Sequence, residues 1–74
     1  MTEPMKIRVD GRIIEIRDVA AGVYNAFDAG ERVAIAADVG GGWWLGVRMG
    51  GGERRRFPVA EGGATAAIRH LLTT

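Results

Sequence analysis

Glycine turns set at short intervals between runs of alternating apolar and polar residues constrain this chain most, because they leave room only for short strands folded back on one another. The sharpest case is Asp10-Gly11, flanked by Met5-Lys6-Ile7-Arg8-Val9 and Arg12-Ile13-Ile14-Glu15-Ile16. Asp-Gly favours a two-residue hairpin turn, whose two central positions both need positive φ. Such a turn sets Ile7 opposite Ile14, Met5 opposite Ile16 and Lys6 opposite Glu15. It leaves Val9 beside Arg12 and Arg8 beside Ile13 next to the tip.

A second hairpin is read from Trp43 to Val59, around Gly50-Gly51-Gly52. With a three-residue loop, Arg48 pairs with Arg54, Leu45 with Phe57, and Trp43 approaches Val59. Alternation then places Trp43, Leu45, Val47, Met49, Phe57 and Val59 on one face, read as the core side. Trp44, Arg48, Arg54 and Arg56 fall on the other. A loop one residue shorter puts Arg56 beside Leu45, on that apolar face, and is disfavoured because register follows burial. The three-residue loop has one cost. Arg48 opposite Arg54 is a like-charge pair, unfavourable by a few tenths to ~1 kcal/mol unless an anion bridges them.

The C-terminal segment carries Ala60, Ala64, Ala67, Ile68, Leu71 and Leu72 at spacings of three and four, the apolar stripe of a helix, with Glu61 in its first turn. Val19, Ala20, Val23 and Phe27 also recur at helical spacing between Asp18 and Gly30, so a short second helix is expected near residues 19–28, although Gly22 and Asn25 are poor interior residues for it. Glu31 to Val39 reads as a strand with Val33, Ile35 and Ala37 on one face, joined to Trp43 by Gly40-Gly41-Gly42. The fold expected is α+β: a small, mostly antiparallel sheet of about five strands, two hairpins and a connecting strand, with the C-terminal helix packed on one face. Residues 1–4 are expected to be a disordered tail and residues 5–74 a single domain, with no internal repeat.

Seventy-four residues without a cysteine have no disulfide to support a small core, so dimerisation is in keeping with the size. No run reaches the ~18 apolar residues of a membrane span, and the N-terminus lacks the order of a signal peptide, so a soluble, cytoplasmic protein is expected. The net charge of +1 is not that of a strongly basic nucleic-acid binder, but the half from residue 43 onward is the basic one. Arginine far outnumbers lysine, and alanine and glycine are abundant, in keeping with a GC-rich bacterial or phage gene.

No catalytic constellation is legible. The chain has no serine and no cysteine, its carboxylates are scattered over turns and strand ends, and so small a domain has little room for a pocket of ~300 Å³. The glycine triplets lack the lysine and hydroxyl of a phosphate-binding loop, and His70, the sole histidine, has no second ligand at metal-binding spacing and reads as an exposed helix residue. Neither a cofactor nor a metal is called for, and the protein is not expected to be an enzyme.

The surface of chemical interest is Trp44, Arg48, Arg54 and Arg56. Arginines can pair with phosphates or guanine edges while an aromatic ring stacks on a base. The same set also suits a solvated sheet face whose arginines protect an edge, or the grip on an acidic protein partner or another subunit. Trp44-Leu45-Gly46-Val47-Arg48, followed by Phe57-Pro58-Val59-Ala60-Glu61 leading into Ala64 and Ala67, resembles the three strands and helix of AP2-type and integrase arm-binding domains over about residues 32 to 72. That resemblance implies a sheet laid into the DNA major groove. Gly62-Gly63 and the N-terminal hairpin depart from the pattern, which is too loose to place the chain in those families. The expectation is a small non-catalytic binding or regulatory module for nucleic acid, with a protein-interaction module as the alternative: a homodimer, an adaptor or an inhibitor of a host protein.

Overall fold

The computed structural model describes residues 5–73. Six strands follow one another as a meander, with sheet order equal to chain order and every neighbouring pair antiparallel. They are β1 (Met5–Val9), β2 (Arg12–Ala20), β3 (Val23–Asp28), β4 (Glu31–Gly40), β5 (Trp43–Arg48) and β6 (Arg55–Pro58), and the chain ends in helix α1 (Gly63–Thr73). The α+β class is as expected, with one strand more. The expected tail, residues 1–4, lies outside the described residues.

The first hairpin has the anticipated register throughout, from Met5 opposite Ile16 to Val9 opposite Arg12. Asp10 (φ 50°) and Gly11 (φ 79°) supply the two left-handed positions the turn demands. Ala29 (φ 52°) and Gly30 (φ 84°) do the same between β3 and β4.

Residues 19–28 are not a helix. Val19 and Ala20 end β2, Ala21-Gly22 turns with Gly22 at φ 75°, and Val23–Asp28 is β3. The chain also repeats itself, against expectation. Asp18, Val19, Gly22, Val23 and Tyr24 of the β2–β3 hairpin recur as Asp38, Val39, Gly42, Trp43 and Trp44 of the β4–β5 hairpin. Each hairpin has a bulge at the same place, between Asp18 and Ala20 and between Asp38 and Gly40.

Helix α1 lies on one side of the sheet. Ala64, Ala67, Ile68 and Leu71 are its buried residues, so the stripe read from the sequence is the one used, whereas Ala60 and Glu61 precede the helix. Burying Ile68 and Leu71 contributes about 1.5–3 kcal/mol each. They meet Val9, Ile14, Ile16, Ala26, Ala34, Ala36, Trp44 and Phe57 from the strands. Three contacts fix the helix across the sheet. Arg69 Nη1 donates to the Arg8 carbonyl in β1 (2.8 Å), the His70 ring stacks on Phe57 of β6 (centroids 4.4 Å apart), and Leu71 seats over Gly46 of β5. His70 is therefore half-buried, not the exposed residue anticipated.

Gly46 is what lets the helix come down. A Cβ there would stand 2.6 Å from Leu71 Cδ1 and 3.1 Å from the Ile35 carbonyl oxygen. Small residues dominate the middle of this side, with Ala26, Ala34 and Ala36 all fully buried beneath the helix.

Candidate functional site

The register of the last two strands decides which side chains share a surface. Trp43 lies opposite Pro58, Trp44 opposite Phe57, Leu45 opposite Arg56 and Gly46 opposite Arg55. This is the register with Arg56 beside Leu45, disfavoured above because the Leu45 side was taken as the core. The core is on the other side of β5, where Gly46 admits Leu71.

The four residues singled out in the sequence are consequently separated. Trp44 is 5% exposed, lies against the Tyr24 ring with centroids 5.8 Å apart, and belongs to the core beneath α1. Arg48 sits on the helix side, opposite Ala34 of β4. Arg54 lies in the exposed connection before β6, so the like-charge pair of Arg48 and Arg54 does not form. Arg56 is on the side away from the helix, its guanidinium 4.9 Å from the Trp43 ring centroid.

Arg48 borders an open cleft of about 410 Å³ between the end of α1 and the sheet. Ile14, Val33 and Leu72 form its apolar wall, and Arg12 and Asp28 pair across its rim at 3.0 Å.

The side away from α1 is the feature the sequence reading missed. Alternation from the paired registers places Val23 and Phe27 of β3, Ile35 and Ala37 of β4, and Leu45 and Val47 of β5 there together. Ile35 faces Val47 and Ala37 faces Leu45, and all six are only half-buried. Trp43 completes the row at 39% exposure. Two cations sit over the aromatic members: Arg56 over Trp43, and Arg17 5.1 Å from the Phe27 centroid. Such contacts stabilise by about 0.5–1 kcal/mol at exposed sites and keep both rings in place. The signal was present in the sequence, since Val33-Ala34-Ile35-Ala36-Ala37 and Trp43-Trp44-Leu45-Gly46-Val47 are apolar without alternation, the pattern of strands covered on both faces.

No group of three or more histidine, aspartate or glutamate side chains among the described residues is placed to hold a metal ion. No helix among them is long and apolar enough to cross a membrane. No protein-family model, curated protein or solved structure matches the chain.

Proposed function

We propose that this protein is a non-catalytic interaction module that docks another protein on the sheet face opposite α1. One observation carries the reading. The strands β4 and β5 are apolar on both faces, and the single helix among the described residues covers one of them. Apolar patches of this kind, rimmed by charge, mark docking surfaces in small domains. The nucleic-acid reading loses its principal stacking platform with Trp44 in the core, and Trp43 already carries Arg56 on its ring.

The test is photo-crosslinking in the source cells, with a benzophenone amino acid at Val47 on the open face and, as a control, at the exposed Glu61 before the helix. A nuclease-resistant adduct heavier than the chain is expected from Val47 and none from Glu61. A nuclease-sensitive adduct, or none from Val47, refutes the reading.

A further inference from the structure

The charges around the open face say what kind of protein it takes. Lys6 and Arg8 stand on this face at the β1 edge, Arg56 at the β6 edge, and Arg17 and Arg32 between them. Against these cations Glu15 is the one carboxylate that the strand registers place on the same face. It is already engaged, with its Oε2 2.7 Å from Arg17 Nη2. The other acidic side chains of the strands, Asp18, Asp28, Glu31 and Asp38, are paired with residues of the helix side. In a chain of net charge +1, the apolar face is therefore enclosed by cations at both sheet edges.

Resting on the docking face proposed above, we infer that its occupant is a protein surface with an apolar centre and carboxylates along two opposite sides, and that a second copy of this chain is excluded. Two copies stacked face to face with their strands aligned, as in a sandwich, are related by a two-fold axis that lies between the sheets and runs along or across the strands. If the axis runs along the strands, β1 of one copy covers β6 of the other, and Lys6 and Arg8 meet Arg56. If it runs across them, β1 covers β1 and β6 covers β6. Either way cation meets cation while the apolar centres are brought together. Like charges juxtaposed at an interface are strongly unfavourable and reject that partner. Neighbouring strands lie ~4.8 Å apart, so the two cationic edges of the six-stranded sheet are separated by roughly 24 Å, and the partner's carboxylates must span about that distance. Arg56 and Arg17, held against their rings, are fixed before the partner arrives, so fewer side chains lose freedom on docking.

A charge-reversed version of the chain, Arg8→Glu, Arg32→Glu, Arg56→Glu, serves as the probe: the same apolar centre with an acidic rim. All three positions are exposed, and Arg56→Glu alone serves if the triple variant does not fold by circular dichroism. Sedimentation equilibrium is run on each protein alone and on the mixture. Each alone is expected to be monomeric. The mixture is expected to form a one-to-one complex that weakens about tenfold or more between low and high salt and is lost when Val47→Asp is introduced.

A wild-type dimer that Val47→Asp abolishes overturns the acidic-partner inference and leaves the face as a docking site, with a second copy as occupant. A mixture that stays monomeric also overturns the inference; the Val47 photo-adduct then decides separately whether the docking face itself stands.

Discussion

Replacing Gly46 by alanine should prise the helix from the sheet by a calculable amount. The added Cβ would lie 2.6 Å from Leu71 Cδ1 and 3.1 Å from the Ile35 carbonyl, where ordinary contact begins near 3.4 Å. Leu71 is fully buried, so its side chain must leave its preferred rotamer or carry α1 outward. Overpacking of this kind costs about 1–3 kcal/mol. The lower backbone entropy of alanine in a strand offsets about 0.5–1 kcal/mol. The net loss is then ~0–2.5 kcal/mol, centred on about 1 kcal/mol, which lowers Tm by roughly 4–8 °C for a domain of this size. The assay is urea denaturation followed by tryptophan emission, run as a double-mutant cycle with Leu71→Ala. That substitution alone removes about 2–5 kcal/mol. In the double variant the new methyl occupies part of the vacated space, so the combined loss should fall short of the sum by ~0.5–3 kcal/mol. If the losses from Gly46→Ala and Leu71→Ala simply add, Leu71 does not sit over Gly46 and the placement of α1 is wrong.

Trp44→Ala should cost about 3–5 kcal/mol, as a core aromatic does, whereas Arg54→Glu, on an exposed connection, should change stability by less than ~0.5 kcal/mol in thermal melts. Equal effects would restore Trp44 to the surface. Ala29 holds φ 52°, a left-handed conformation that a side chain without local hydrogen-bonding groups tolerates poorly, so Ala29→Asn should raise stability by a few tenths to ~1 kcal/mol in the same melts. A lower Tm would contradict the turn assigned there.

What could be read from residues alone followed the range of the interactions. The β1–β2 hairpin was legible to the pair because its turn, Asp10-Gly11, and its contacts are local. The stripe of α1 was legible because a helix carries its own period. Residues 19–28 were misread because Val19, Ala20, Val23 and Phe27 satisfy a helical spacing as well as two strand ends. What breaks the tie is Gly22 at positive φ and the recurrence of Asp18 to Tyr24 as Asp38 to Trp44. The β5–β6 register was misread for a subtler reason. Trp43, Leu45 and Val47 on one side of β5 looked more like core than Trp44, Gly46 and Arg48 on the other. Burial depended on where a distant helix descends, and it descends on the side that has a glycine to receive Leu71. The expected site inherited that error. Trp44 left the surface, and the apolar side first assigned to the core became the open face.

Trp43 belongs to the open face and Trp44 to the core beneath the helix, at 39% and 5% exposure. The most direct measurement is acrylamide quenching of two single-tryptophan variants, Trp44→Phe, which keeps Trp43, and Trp43→Phe, which keeps Trp44. Trp43 should be quenched several-fold more efficiently than Trp44, and Trp44 should emit further to the blue. Equal quenching, or a Trp44 more accessible than Trp43, would contradict that placement and return the arginine and tryptophan surface read from the sequence to first place.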